Sequence, residues 1–390
     1  MPSNRAISSP RRGVWKGKSS RRNRSIIILA TAFLLFGSLY CLISAIVLFR
    51  AQEMVASSLA AQLQERHGGL YGPAHRADIA AYKLERYSLR RPDILIVGSD
   101  RLGALPGEAF AATVYNAAGV AESVATLSNF VRAAVAKHPP KSILIGLDYW
   151  WFHPDAPRLS PPVSQPSTLA GQLLDPLWWT VTGKISAHEL IRGLFPPTGA
   201  APGIGALAVL DGQGWDSYGR YEGGFSANAG AIESPLARDV RVGPSAEGLQ
   251  QLNDLIVELN SHSIEVVLMI PPTSPAMNLA LTKDPDSRLL PLWRDSLRAF
   301  GQKIFDFADP RSLGASDCEL INDVSGGEVI YLRALDAIGN YGGTALSQAI
   351  DRDLTASLIA SNAGHVRIAE LLPTDAAAGL QFRDGCGKDD

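Results

Sequence analysis

A long uncharged run near the N-terminus limits how this chain can fold. Residues 25–49 read SIIILATAFLLFGSLYCLISAIVLF, a stretch of 25 residues without a charge between Arg24 and Arg50. As an α-helix this run is about 37 Å long, and the hydrocarbon core of a bilayer is roughly 30 Å thick. A signal peptide has a shorter apolar run, of about 7–15 residues, followed by a cleavage site of small residues. We therefore predict an uncleaved transmembrane helix at residues 25–49.

The charges on either side of this run predict its orientation. Residues 1–24 carry eight Lys or Arg and no acidic residue, and such basic flanks stay in the cytoplasm. We expect 1–24 to be a basic cytoplasmic tail on a single-pass protein of the bacterial inner membrane, with the bulk of the chain in the periplasm. The remaining 28 basic residues face 38 acidic ones, a net charge of −10. This balance disfavours nucleic acid as a partner.

Apolar runs and helical patterns alternate after the membrane segment. Residues 121–137 and 245–263 place apolar side chains on one helical face, and the runs between such segments are rich in β-branched residues, as in buried parallel strands. The predicted strands are Ile94–Val97, Thr113–Tyr115, Ser142–Leu147, Glu265–Ile270 and Lys303–Phe307. This order predicts an α/β fold with a doubly wound, mostly parallel sheet in a flavodoxin-like three-layer arrangement.

The remaining segments complete the predicted domain organisation. Residues 50–90 are expected to form a helical stalk or linker, and residues 91–390 a periplasmic domain. Residues 153–243 interrupt the α/β rhythm with many Pro, Gly and Trp residues. An insertion of this length is more often a lid or a partner-binding surface than a disordered loop. Cys318 and Cys386 are the two cysteines outside the membrane run, and whether they form a disulfide stays open at this point.

Four motifs follow predicted strands: GSDR at 98–101, NAAGV at 116–120, GLDYWWFHP at 146–154 and LINDVSGGEVIYLRAL at 320–335. Ligands of doubly wound proteins collect at such strand ends. Together the motifs resemble the SGNH hydrolase family, in particular its membrane-anchored bacterial branch related to alginate O-acetylation proteins. The resemblance covers most of residues 90–335. It implies a strand-end pocket with a nucleophilic Ser, an oxyanion hole, and a late Asp and His.

Several of the positions that carry chemistry in that family differ here. The nucleophile position falls on Asp100, one residue after Ser99, and the oxyanion-hole positions fall on Gly119 and Asp148. Asn322 stands where the family has its Asp, and Ser325 where it has its His. A serine nucleophile needs a base within hydrogen-bond reach and a third group that holds the base. The resemblance therefore implies a degenerate triad and a protein without hydrolase activity.

Three other interpretations of these residues stay open. His153 is a candidate substitute base for Ser99, which would make the chain an active O-acetyltransferase or esterase. Asp100, Asp148, Asn322 and Glu328 could line an acidic pocket for sugar hydroxyls or Ca²⁺. Alternatively, Asp100 and Asp148 only cap the helices that follow their strands. Trp150, Trp151, Trp178, Trp179 and Trp215 are expected to pack inside the protein more often than to stack on sugars.

The function predicted from the sequence is that of an inactive accessory or scaffold protein in exopolysaccharide or cell-envelope polymer assembly or acylation. The resemblance implies partners among inner-membrane polysaccharide synthesis or acyltransferase components, with polysaccharide as a further ligand. No cofactor is predicted, and no metal site, because the histidines lack His-x-x-x-His spacing. An active enzyme using Ser99 and a structural subunit of an inner-membrane complex are the two alternatives.

Overall fold

The computed structural model describes residues 19–75, 78–156, 169–183, 203–222, 241–283 and 287–371, together with residues 185, 186, 188, 191 and 195. The strands in this part of the chain are β1 Leu70–Tyr71, β2 Ile94–Gly98, β3 Val114–Ala118, β4 Ser142–Gly146, β5 Gly203–Ile204, β6 Gly214–Trp215, β7 Tyr221–Glu222, β8 Glu265–Ile270, β9 Lys303–Asp306, β10 Leu320–Asn322 and β11 Ser325–Gly326. The helices are α1 Ser19–Arg50, α2 Ser57–His67, α3 Ile79–Arg90, α4 Val124–Lys137, α5 Leu169–Val181, α6 Ala206–Asp211, α7 Ala246–Ser261, α8 Pro275–Lys283, α9 Leu289–Arg298, α10 Glu328–Tyr341, α11 Ala345–Ala349 and α12 Arg352–Asn362.

A five-stranded parallel sheet lies at the centre of the fold. Its strand order is β3-β2-β4-β8-β9, and every neighbouring pair is parallel. All residues of β2, β3 and β4 are buried, as expected for strands covered on both faces. The structure confirms all five strands predicted from the apolar runs and thereby an α/β fold with a parallel sheet.

Two apolar clusters cover the two faces of this sheet. Successive residues of a strand point to opposite faces, so Leu95 and Val97 join one cluster and Ile94 and Ile96 the other. The first cluster holds apolar residues of α4, α7 and α9, and the second those of α10 and α12. Helices therefore pack on both faces of the sheet.

Local sequence signals fix where the sheet-covering helices begin. At α4 the Ser123 hydroxyl accepts the Thr126 N–H at 3.2 Å, and the Thr126 hydroxyl accepts the Ser123 N–H at 3.0 Å, which is a capping box. At α7 the Ser245 hydroxyl accepts the Gly248 N–H. These caps define the first residues of α4 and α7.

Helix α1 contains the predicted membrane segment. The part from Arg24 to Arg50 is long and apolar enough to cross a membrane. Its large side chains are exposed over most of its length, with Ile26, Phe33 and Phe36 as examples. Only the last turns carry buried residues, including Val47 and Leu48.

The segment 50–90, expected to be a stalk or linker, lies within the globular unit. Helices α2 and α3 pack against each other, and Tyr82 and Tyr87 of α3 are completely buried. Strand β1 pairs with β5 and β6 in a small sheet of order β5-β1-β6-β7. Instead of forming a separate stalk, the segment contributes to an apolar cluster of its own, which includes Tyr71 and Tyr82.

The described parts of the 153–243 insertion are tied to this small sheet. They supply β5, α6 and the antiparallel hairpin β6–β7. Residues 157–168 and 223–240 of the insertion lie outside the described residues. Cys318 is disulfide-bonded, and Cys386, whose pairing with it the sequence left open, lies outside the described part of the chain.

Candidate functional site

The predicted strand-end residues lie together at the carboxyl edge of the sheet. Ser99, Asp100 and Arg101 follow β2, Gly119 follows β3 and Asp148 follows β4. A Cβ built on Gly119 would lie 3.9 Å from the Asp100 Cα atom, so these two turns are in contact. Parallel neighbouring strands end at the same edge of a sheet, which explains why distant motifs meet here.

Arg101 is the central side chain of this site, and the sequence analysis did not single it out. It is buried, and its Nη1 atom donates to Oδ1 of the buried Asp148 at 2.5 Å. Its Nη2 atom donates to the carbonyls of Pro271 and Pro272 at 3.0 and 2.7 Å, and its Nε atom to the carbonyl of Val324. One guanidinium thus joins the ends of β2, β4 and β8 and the β10–β11 turn.

The neighbours of Arg101 leave little space at this edge. The Trp150 ring lies 5.3 Å from the guanidinium carbon, in a cation–π contact. A cavity of about 20 Å³ borders Arg101, Leu281 and Trp293, and a cavity of this size holds about one water molecule. The guanidinium is therefore closely packed on the side that faces Trp150, Leu281 and Trp293.

The two aspartates of the site differ in environment. Asp148 is buried against Arg101, whereas Asp100 keeps an exposed surface. The pKa of Asp100 is raised because surrounding protein atoms desolvate its carboxyl group and because the charge of Asp148 is close. Ser99, not Asp100, occupies the N-cap position of the short 3₁₀ turn after β2, and Asp148 makes no side-chain capping hydrogen bond at the turn after β4.

Gly119, the predicted oxyanion-hole residue, has a different role in the structure. Its φ of +85° lies in a region that favours glycine. Its N–H donates to the Gly98 carbonyl at 3.0 Å, which also accepts the Ala121 N–H at 3.3 Å. The Gly119 N–H is therefore engaged in joining the β2 and β3 turns, and an oxyanion would have to compete with that bond.

Ser99 and His153 do not form a nucleophile and base pair. Both side chains are buried, and within the described residues neither the Ser99 hydroxyl nor the His153 Nε2 atom has a hydrogen-bond partner. The other ring nitrogen, Nδ1, accepts the Asp155 N–H at 3.1 Å. Ser99 and His153 are therefore not joined by a direct hydrogen bond, which is the contact through which a histidine base usually acts on a serine.

Asn322 and Ser325, at the positions of the missing acid and base, build a hairpin. They face each other across the antiparallel pair β10–β11. The Asn322 side-chain oxygen accepts the Val324 N–H at 2.9 Å, and the Asp323 carbonyl accepts the Ser274 N–H at 2.8 Å. Such an Asx turn shapes the loop, whose Val324 carbonyl then accepts from Arg101. The two positions have a structural role in this chain.

Glu328 does not join the predicted acidic pocket. It is fully buried at the start of α10, and its Oε2 atom accepts the Ile368 N–H at 2.8 Å. Its other oxygen lies 3.6 Å from Arg220 and 3.5 Å from Arg367. Within the described part of the chain, no group of three or more His, Cys, Asp or Glu side chains is placed to hold a metal ion, so the converging acidic pocket predicted for Ca²⁺ is not formed.

Glu328 belongs to an ion-pair network around the buried Arg220. The guanidinium also contacts Glu108, Asp216 and Glu222, and these carboxylates raise its pKa. Burial raises the pKa of Asp216 to about 6 despite this partner. The sequence signal for this network lies in the segment DSYGRYE, where Arg220 follows Asp216 by four residues and precedes Glu222 by two.

Lys83 is a second buried cation that the sequence analysis missed. Its ammonium group donates to the carbonyls of Asn116, Ala118 and Gly219 at 3.2, 2.6 and 3.1 Å. Burial lowers its pKa to about 7. A lysine on an amphipathic helix normally faces water, so the sequence contained no signal for this placement.

The tryptophans are distributed over separate environments. Trp151 and Trp179 are buried, Trp150 covers Arg101, Trp215 packs on Tyr71 and Tyr82, and Trp178 is exposed on α5. They do not line one common cleft, which agrees with the expectation of packing for most of them.

Comparison with protein-family models, with curated proteins and with solved structures finds no match to this chain.

Proposed function

We propose that this chain is a membrane-anchored, catalytically inactive SGNH-like protein that acts as an accessory or scaffold in exopolysaccharide or cell-envelope polymer assembly or acylation. The observation that carries the proposal is the placement of Arg101, which is buried in the strand-end site and pairs with Asp148. A guanidinium in this position neutralises the one buried carboxylate of the site. It also links the flanking loops by hydrogen bonds, so these loops form a rigid surface at the site.

The architecture supports the SGNH-like part of the proposal. Numbered in the order in which they follow one another along the chain, the five parallel strands are arranged 2-1-3-4-5, the order of flavodoxin-like doubly wound proteins. Helices on both faces agree with that arrangement. Fold alone does not assign a function, so the role in polymer assembly comes from the motif resemblance.

Charge and cysteine chemistry support a periplasmic location for the domain. The basic residues before α1 favour a cytoplasmic N-terminus, which places the domain on the opposite side of the inner membrane. The disulfide at Cys318 is typical of oxidising compartments such as the periplasm. Both observations favour the same orientation.

The catalytic part of the proposal is tested with a chromogenic acetyl ester. With purified full-length protein, p-nitrophenyl acetate is expected to hydrolyse no faster than in buffer alone. Ser99→Ala is expected to leave this rate unchanged. Turnover that exceeds the buffer rate and is lost in Ser99→Ala would instead identify an esterase or acetyltransferase that uses Ser99.

The scaffold part is tested by affinity capture of the full-length protein from a polymer-producing cell in mild detergent. Inner-membrane polysaccharide synthesis or acyltransferase components are expected in the captured material. The matched variants are Asp100→Asn, at the exposed edge of the strand-end site, and Asp93→Asn, before β2 at the opposite edge of the sheet. Recovery of none of these components with the unchanged chain would contradict the proposal, and recovery unaffected by Asp100→Asn would place the contact elsewhere on the molecule.

A further inference from the structure

One face of α1 is covered by protein in the last third of the helix. The residues of this face are spaced as a single helical stripe, and Tyr40 at its lower end is half-buried. The fully covered members of the stripe are Ser44, Val47, Leu48 and Ala51. The opposite face stays exposed at Leu42, Ile46 and Phe49. Protein therefore packs beside α1 from Tyr40 onward, starting ten residues before the charge of Arg50.

Helix α5, from the 153–243 insertion, is the element that packs there. The Tyr40 hydroxyl donates to the Leu174 carbonyl of α5 at 2.5 Å. Trp179, one turn further along α5, shares a buried cluster with Ala51 at the end of α1. These two contacts fix α5 alongside the final third of α1.

The position of Tyr40 along α1 sets the depth of this contact. Tyr40 follows Arg24 by 16 residues and precedes Arg50 by 10, which corresponds to about 24 Å and 15 Å along the helix axis. The two arginines are about 39 Å apart, while the hydrocarbon layer is roughly 30 Å thick. Wherever the layer is placed between the two charges, Tyr40 lies inside it. Leu174 must then lie at the same depth.

The surface of α5 agrees with an apolar environment. Leu174, Trp178 and Val181, at i, i+4 and i+7, are 51%, 61% and 76% exposed and form one stripe. Asp175, the one charged residue of α5, lies on another face, with its carboxylate 3.3 Å from the His75 ring. That ring stacks on Trp179 at 5.7 Å. The charge of α5 is thus held against the globular domain, away from the exposed stripe.

The length of α5 decides between the possible surroundings. Its 13 residues extend about 20 Å, too short to cross the bilayer. Apolar helices of this length are core helices or segments that enter one leaflet, and the exposed stripe excludes a core helix. We propose that α5 is embedded in the leaflet on the side of the globular domain, where Leu174, Trp178 and Val181 contact lipid acyl chains. This inference rests on the membrane anchoring by α1 in the proposed function.

Electron paramagnetic resonance of spin labels, with oxygen and a water-soluble nickel complex as relaxation agents, tests the depth of α5. Full-length protein carrying Cys41→Ala is reconstituted in phosphatidylethanolamine and phosphatidylglycerol vesicles, with single substitutions Leu174→Cys, Val181→Cys, Phe36→Cys or Val257→Cys. Phe36 is the reference inside the span, and Val257 is an exposed apolar residue of α7 on the globular domain. We expect labels at Leu174 and Phe36 to show a several-fold higher ratio of oxygen to nickel accessibility than the label at Val257, and Val181 to be intermediate.

The outcomes separate this inference from the anchoring on which it rests. A label at Leu174 that matches Val257, while Phe36 remains oxygen-accessible, would overturn the embedding of α5 and leave the anchor intact. A label at Phe36 that matches Val257 would overturn the anchor itself and the inference with it.

Discussion

At the residue scale, the Arg101–Asp148 pair predicts a large effect of a single substitution. Arg101→Met keeps much of the side-chain length but removes the guanidinium that faces Asp148 and three carbonyls. Breaking a buried ion pair from one side costs about 3–5 kcal/mol. We therefore expect the free energy of unfolding of the full-length protein in detergent, measured by urea denaturation, to fall by about this amount.

The surface pair Lys141–Asp93 provides the matched control for this prediction. Its atoms lie 3.1 Å apart, but Lys141 is largely exposed, and exposed pairs contribute less than about 1 kcal/mol. If Arg101→Met were no more destabilising than Lys141→Met, Arg101 would not be holding the strand-end loops together.

Lys83 predicts a pH dependence of stability. Its pKa is about 7 in the folded protein because of burial, against 10.5 for an ordinary lysine. Between pH 7.5 and 9.5 the unfolded chain therefore binds a proton that the folded chain lacks, so stability rises with pH by up to about 1.4 kcal/mol per pH unit. Glu53 and Asp216, with pKa values raised by burial to about 7 and 6, titrate mostly below this window.

Urea denaturation at pH 7.5, 8.5 and 9.5 measures this contribution as the difference between the unchanged chain and Lys83→Met. We expect the stability of the unchanged chain to increase more steeply with pH than that of the variant. Parallel curves for the two proteins would show that Lys83 remains charged when the protein folds.

At the element scale, the β6–β7 hairpin covers the exposed edge of the main sheet. Asn116 of the edge strand β3 donates its N–H to the Tyr218 carbonyl at 2.7 Å. A Cβ added to the neighbouring Gly219, whose φ is +83°, would lie 2.1 Å from the Asn116 carbonyl oxygen. Gly219→Ala must therefore move the hairpin off the edge, in addition to the strain of a positive φ.

Gly212→Ala is the control for this substitution, since Gly212 also has a positive φ, +62°, but open space around its Cβ position. Backbone strain alone costs about 1–2 kcal/mol, and overpacking adds about 1–3 kcal/mol. We expect Gly219→Ala to lower the midpoint of thermal unfolding by clearly more than Gly212→Ala. Equal shifts for the two variants would argue against a close fit between the hairpin and β3.

The elements also show what the sequence can predict. The strands from Ile94 to Gly98 and from Ser142 to Gly146 are short apolar runs rich in β-branched residues, and these local features indicate buried strands. The side chains of Arg101 and Lys83 look like solvated charges in the sequence. Their burial depends on carbonyls that arrive from residues up to 223 positions away, and no local pattern encodes such partners.

The site was predictable to a similar extent. The positions of Ser99, Asp100, Gly119 and Asp148 at one sheet edge followed from the parallel topology. The roles of these residues could not be predicted. The hydrogen-bond partners of the Gly119 N–H and the Asp148 carboxylate depend on how the neighbouring loops pack in the folded protein. The burial of Arg101 in the site depends on loops from distant parts of the sequence, whose carbonyl groups accept its hydrogen bonds.

At the scale of the whole molecule, the cysteines predict a thiol count. The chain has three cysteines, of which Cys41 is free and Cys318 is disulfide-bonded. Denatured full-length protein from its own membrane is expected to show one reactive thiol per chain before reduction and three after it. Three thiols without reductant would show that the disulfide does not form, and would remove one of the two supports for an oxidising compartment.

The covered stripe at the end of α1 has a consequence for the way in which the protein meets its surroundings. Val47, Leu48 and Ala51 are packed into the protein, so α1 is held against the domain at its C-terminal end. In the proposed membrane anchoring, helix and domain therefore rotate together about the membrane normal. A neighbouring protein in the bilayer that touches a given side of α1 will always find the same side of the domain above it. The distance of the domain from the bilayer and its rotation about the membrane normal are thereby fixed independently of any partner.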